Sequence, residues 1–124
     1  MCTIITPAYN AAGTIDVAIG SVRKQTETGW ELIVVDDGSQ DGTPERVEAV
    51  AALDERVKLI RQENAGASAA RNAALDRAQG EYLSLLDADD AWLPNHLTSS
   101  IAALAGTPGA GISYSDGLTF SDSL

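Results

Sequence analysis

The sequence predicts an α/β fold, with a Rossmann-like, mostly parallel sheet flanked by helices, and three observations predict it. Short apolar runs alternate with stretches whose apolar residues recur at helical spacing. The run from Trp30 to Val35 is almost wholly apolar, as strands covered on both faces are. Three strand-like runs each end in a polar cluster, at residues 7–13, 36–39 and 87–90. Parallel strands bring all three clusters to one sheet edge, where open α/β sheets bind their ligands.

Each element has its own signal. Cys2 to Thr6 read as the first strand, stopped by Pro7 and followed by a loop through Gly13. Thr14 is placed to cap a helix, with Asp16 in the first turn where the helix dipole favours an acid. Ile15, Ala18, Ile19 and Val22 form its apolar face, and the helix should end between Gln25 and Gly29. Trp30 to Val35 is the second strand. Asp41 or Thr43 should cap the second helix, with Pro44 suited to its first turn and Val47, Val50, Ala51 and Leu53 facing inward. Val57 to Ile60 is a short third strand, and an alanine-rich helix should run from Ala67 to Ala78 and stop at Gly80. The run from Tyr82 reads as a buried central strand that breaks off into Asp87, Asp89 and Asp90, because unpaired carboxylates cannot continue into a core. Pro94 opens a further helix with Leu97, Ile101 and Leu104 inward, and residues 111–114 suggest a fifth strand.

Composition narrows the function. A chain of 124 residues is one domain or part of one, and the apolar share of 44% is that of a globular chain. A net charge of −10 argues against nucleic acid or an anionic membrane as partner. It does not exclude a phosphate-bearing ligand, since a bound metal reverses the local sign. Lys24 and Lys58 are the sole lysines, so positive charge at a phosphate must come from arginine or metal. With one cysteine, Cys2, and one histidine, His96, neither a disulfide framework nor a nitrogen- or sulfur-rich metal site is expected. There is no membrane-span pattern and no secretory leader, so the expected compartment is the cytoplasm.

Asp87-Ala88-Asp89 places two carboxylates on one side of an extended chain, and Asp90 adds a third. Hard oxygen ligands of this kind suit Mg2+ or Mn2+. Arg71, among small residues at a helix start, is the guanidinium best placed to help gather a phosphate, although it also reads as a plain surface arginine. Asp37 could accept the imide N–H of a pyrimidine base or instead cap its own loop. Tyr9 could lie against that base or be a half-buried loop aromatic. Asp36 reads as a ligand of loop amides, Trp92 could shape an acceptor pocket but more often such a residue is packing, and His96 reads as without a functional role.

At these residues the sequence resembles the family 2 glycosyltransferases, which have the GT-A nucleotide-diphospho-sugar transferase fold. The matching stretches are residues 5–10 (ITPAYN), 34–43 (VVDDGSQDGT), 64–72 (NAGASAARN) and 80–90 (GEYLSLLDADD), covering nearly all of residues 2–97. The resemblance implies that residues 1–124 are one nucleotide-sugar-binding portion of such a domain, its N-terminal half. It implies that Pro7, Ala8 and Tyr9 line the base, that Asp37 binds it, and that Arg71, Asp87 and Ala88 hold the sugar nucleotide. Asp89 and Asp90 would hold Mn2+ or Mg2+. The implied reaction is inverting transfer of a sugar, from a UDP-sugar for preference, to a saccharide or lipid-linked acceptor, with the catalytic base beyond Leu124. Parts outside the chain could bring it to the inner face of the membrane. The truncated sheet should self-associate or depend on residues outside the chain.

Two other readings use the same acids. A non-catalytic nucleotide-sugar-binding fragment keeps Asp37 and Asp89 but does no chemistry. A magnesium-dependent phosphoryl-transfer or receiver domain should carry its acidic pair after the first strand and a lysine after a late one. Here the pair follows the second strand, and no lysine follows Lys58.

Overall fold

The structure is a computed structural model and describes residues 1–113. It contains a four-stranded sheet in the order β3-β2-β1-β4, with every pairing parallel. The strands are β1 (Cys2–Ala8), β2 (Trp30–Asp36), β3 (Val57–Arg61) and β4 (Tyr82–Leu85). The helices are α1 (Ile15–Arg23), α2 (Thr43–Ala51), α3 (Ala67–Leu75) and α4 (His96–Ala105). The chain steps outward from β1 to β3, then returns to place β4 on the other side of β1. The order therefore reverses between β1 and β4, the position at which such sheets open a ligand crevice.

The two-residue strand period divides the core. Cys2, Ile4, Leu32 and Val34 face α1, α2 and α4, packing on Ile15, Ala18, Ile19, Val22, Val47 and Leu97. Ile5, Ile33, Val35 and Ile60 face α3 and pack on Ala70 and Ala74. Each fully buried Ile, Leu or Val contributes about 1.5–3 kcal/mol. The small alanines of α3 let that helix lie close to the sheet. β2 is buried at every position, as its apolar run predicts.

Several boundaries differ from the sequence reading, each for a physical reason. β1 runs through Pro7 to Ala8, paired with β2 along its whole length. Ile5 O accepts from Leu86 N on the β4 side, whereas Ala8 O accepts from Asp37 N on the β2 side. By the strand period Pro7 turns its missing donor toward β4, beyond the last β1–β4 pair, Ile5 with Leu85. The N-cap position of α2 is Gly42, not Asp41 or Thr43, although Asp41 Oδ1 still accepts from Thr43 N at 3.0 Å. Leu53 lies past the end of α2 and is 81% exposed. α1 and α3 stop at Arg23 and Leu75, short of the expected ends. Residues 111–113 form no strand, and Tyr114 lies outside the described residues.

The largest correction concerns β4, which is an edge strand rather than a buried central one. Its α3-side residues Leu83 and Leu85 are 55% and 58% exposed. α3 packs on β1 and β2, and leaves those two side chains more than half exposed.

Two polar clamps fix the pieces that carry the polar clusters. Buried Glu31 accepts from Thr3 Oγ1 (2.6 Å), Lys58 Nζ (2.6 Å) and Gln79 N (2.7 Å), while Gly80 N donates to Thr3 Oγ1 (2.9 Å). This holds the α3–β4 corner to the sheet. On the other face, buried Gln25 donates to Leu93 O (2.7 Å) and accepts from Leu97 N (2.9 Å). It ties the segment after β4 to α1. Among the described residues, no helix is long and apolar enough to cross a membrane.

Candidate metal and nucleotide site

The parallel register brings the carboxyl ends of β1, β2 and β4 together, and the three polar clusters of the sequence stand there. Two loops close the β1–β2 part of the edge. Asn10 N donates to Ser39 Oγ (2.9 Å), Gln40 N to Asn10 Oδ1 (2.9 Å), Ala11 N to Thr43 Oγ1 (2.8 Å) and Ala12 N to Asp41 Oδ2 (3.1 Å). Asn10 adopts the left-handed backbone (φ 48°), tolerated by a short polar side chain that bonds locally. This lacing presents Tyr9, which is 53% exposed, at the mouth of the site. Pro7 is half-buried beside it, while the Ala8 side chain turns into the core beneath α1.

Asp36 and Asp37 take different roles. Asp36 is buried, its Oδ2 accepts from Ser39 N (3.2 Å), and its Oδ1 has no partner. Asp37 is 5% exposed and faces the loop that leads into α3. Its Oδ1 accepts from Gln62 Nε2 (2.8 Å) and Ala65 N (2.8 Å), and its Oδ2 from Gly66 N (3.0 Å). Asn64 Nδ2 donates to its backbone carbonyl (3.0 Å). The Gln62 amide and the Ala65 N–H together hold the Asp37 carboxyl below the usual carboxylate range against the opposing effect of burial, with the Gly66 N–H adding to them. Asp37 thus fixes the entry to α3, and Arg71 lies one turn further along that helix.

Asp87, Asp89 and Asp90 are exposed, and one carboxylate oxygen from each lies within 4.8 Å of the others. Burial first, then the charges of Asp89 and Asp87, push the Asp90 carboxyl up. Three acids held this close repel one another. The Arg71 guanidinium reaches toward them, with Nη2 3.9 Å from Asp87 Oδ1, and its buried Nε has no partner. An all-oxygen, like-charged set with one arginine beside it fits a hard divalent cation and, across it, a phosphate. The structure therefore brings Arg71 together with Asp87, Asp89 and Asp90, and places Tyr9 and Asp37 at the carboxyl ends of β1 and β2 on the same side of the sheet. His96 stacks on Trp92 with ring centroids 4.4 Å apart, and burial pushes its imidazole pKa down.

Sequence reasoning missed Gln62, Asn64 and the Ala65 and Gly66 N–H groups as partners of Asp37. Their signal was faint: a polar connection holding Gly66, which takes φ +95°.

Comparison with known proteins agrees with this geometry. The family whose model matches is Glycosyl transferase family 2, over residues 3–116. The chain is 42% identical over 102 residues to the putative teichuronic acid biosynthesis glycosyltransferase TuaG of Bacillus subtilis, covering 82% of this chain and 40% of that protein. It is 45% identical over 105 residues to the UDP-Glc:alpha-D-GlcNAc-diphosphoundecaprenol beta-1,3-glucosyltransferase WfgD of Escherichia coli, covering 84% and 41%. Among solved structures it resembles S. aureus TarS 1-349 in complex with UDP (27% identity, TM-score 0.77, 91% of this chain and 38% of that one). It also resembles the mannosyltransferase PcManGT from Pyrobaculum calidifontis in complex with GDP-Man and Mn2+ (33% identity, TM-score 0.78, 89% and 33%). The chain spans about two-fifths of the length of these curated relatives. From its sheet order, its edge cluster and these matches, the chain belongs to glycosyltransferase family 2 and has the GT-A fold.

Proposed function

We propose that this chain is the donor-binding half of a metal-dependent glycosyltransferase that moves a sugar from a nucleoside diphosphate, UDP for preference, to an acceptor hydroxyl. The observation that carries the reading is the Asp87–Asp89–Asp90 cluster at the β1/β4 reversal, with Arg71 beside it. Asp89 and Asp90 hold Mn2+ or Mg2+, which when bound offsets charge on the departing diphosphate. Arg71 adds a guanidinium aimed at the same charge, Tyr9 lies against the base and Asp37 accepts its N–H. Asp87 steadies Arg71 before the donor arrives. In the transfer, the acceptor oxygen forms a bond to the anomeric carbon as the bond to the diphosphate oxygen breaks. The electron pair leaves with the diphosphate and the acceptor proton passes to a base, with inversion at carbon. None of the acids described above is assigned as that base.

The neighbours captured with UDP and with GDP-Man and Mn2+ support the donor and metal. The relative named for a diphosphoundecaprenol substrate supports a saccharide or lipid-linked acceptor. A second reading is donor binding without turnover, since none of the described acids is placed as the base.

A thermal melt tests the site. UDP with Mn2+ should raise the melting temperature, by about 2.7 kcal/mol of added stability at a hundredfold excess over Kd. Asp89→Ala should lose that gain, and no shift in the folded wild-type chain contradicts the proposal. Release of UDP from a UDP-sugar under the same conditions separates turnover from binding.

A further inference from the structure

We infer that Gln25 is a positioning residue of the metal site, holding in place the segment that carries Asp87, Asp89 and Asp90. The inference rests on the donor-site reading above and deepens it. The acidic segment leaves the sheet at Leu86, whose N–H donates to Ile5 O (3.0 Å), and enters α4 at His96. Between those points its clustered carboxylates repel one another and favour opening. Ala88 and Trp92 rest partly on the core, but apolar contact is non-directional and fixes no register. Among the described residues, every hydrogen bond from residues 87–97 to a part of the chain beyond α4 runs to Gln25 or Thr26, just past the end of α1. Gln25 Nε2 donates to Leu93 O (2.7 Å), Gln25 Oε1 accepts from Leu97 N (2.9 Å), and Thr26 N donates to Pro94 O (2.8 Å).

Gln25 is 5% exposed, and its Nε2 also donates to Ser21 O (3.1 Å). Carbonyl partners at its nitrogen and an N–H partner at its oxygen leave the amide one orientation. The same oxygen serves α4, whose first N–H groups have no partner within the helix. The helix's own N-cap residue, Asn95, makes no side-chain cap bond, and a glutamine 72 positions before Leu97 takes up the N–H instead. Gln25 thereby refers the acidic segment to α1, which is packed on the sheet through Ile15, Ala18, Ile19 and Val22.

Without this clamp the cation itself must draw the segment together, so metal affinity falls. The nucleotide contacts of the metal-loaded chain stay as they were. A role confined to stability would lower the melting temperature and leave the metal affinity of the folded chain unchanged.

Calorimetric titration of UDP into the whole 124-residue chain, at a series of Mn2+ concentrations, gives the Mn2+ needed for half-maximal UDP affinity. It is compared in wild type, in Gln25→Met, which keeps the length and bulk of the side chain without its hydrogen bonds, and in Val47→Ala, which truncates a buried side chain of α2. Gln25→Met should need about tenfold more Mn2+, the scale on which groups that orient metal ligands act. It should bind UDP as wild type does once Mn2+ saturates. Val47→Ala should keep the wild-type requirement. An unchanged requirement in folded Gln25→Met overturns the inference, as does an equal rise in Val47→Ala. If Gln25→Met does not fold, hydrogen exchange on wild type decides. Coupling between sites is reciprocal, so Mn2+ with UDP should slow exchange at the Leu97 N–H more than at the amides of α2. No added slowing at Leu97 overturns the inference. Wild type that binds UDP without Mn2+, or does not bind it, sinks the donor-site reading itself, and this inference with it.

Discussion

At the scale of single residues, two glycines show what the sequence reveals and what it hides. Gly38, in Asp-Asp-Gly-Ser, is legible as a turn residue, and it does take φ +81°. A Cβ there would lie 2.9 Å from Asn64 N, in the loop whose amides serve Asp37. Gly38→Ala should cost about 1–2 kcal/mol from the left-handed backbone alone, read as a lower melting temperature. It should also weaken UDP, by displacing the Asp37 loop. Gly80 reads as a helix stop, but its constraint is tertiary. A Cβ would lie 2.6 Å from Thr3 N and 2.9 Å from Met1 O, backbone atoms that cannot step aside. Gly80→Ala should destabilise by about 1–3 kcal/mol, and a melt that matches wild type contradicts that packing. The acids of the site were visible as residue types at strand ends. The partners of Asp37 were not, because they lie 25 to 29 positions further along and meet it only through the β2–β3 pairing.

At the scale of elements, periodicity located the four strands and four helices of the described residues and misjudged their surroundings. β2 was read as covered on both faces, which holds, yet its one charged residue inside the run, Glu31, gave no hint of its role. Burial raises the Glu31 carboxyl, but hydrogen bonds from Lys58, Thr3 and Gln79 outweigh it and hold the group below its ordinary value of 4.5. A carboxyl depressed on folding stabilises the protein above the unfolded pKa, and that contribution fades as pH falls through the folded value. Acid unfolding should therefore draw on Glu31 below about pH 4.5. Glu31→Gln should cost about 2–3 kcal/mol at neutral pH and flatten that acid limb. A variant whose melting temperature follows the wild-type curve at every pH contradicts this. β4 was read as buried because a short apolar run looks the same in the middle of a sheet and at its edge. What decides is whether anything lies beyond it, and a local pattern carries no such information.

At the scale of the whole molecule, the two sheet edges are unlike. β3 carries exposed Lys58 and Arg61, charges of the kind that discourage further pairing. β4 has no charge within it and shows Leu83 and Leu85 to solvent. The chain alone should therefore associate with rising concentration in sedimentation velocity, and Leu83→Lys with Leu85→Lys should keep it monomeric. Identical sedimentation of the two proteins contradicts this. The other edge of the molecule, where β1, β2 and β4 end, gathers the groups on which the functional reading depends. Its central claim is that Asp89 and its neighbours hold a metal that in turn holds a nucleoside diphosphate. The most direct measurement is a calorimetric titration of the chain with UDP, with and without Mn2+, beside Asp89→Ala. Saturable binding that requires Mn2+ and disappears in the variant is the expected result. UDP binding unchanged by removing the metal or the Asp89 carboxylate would contradict the account.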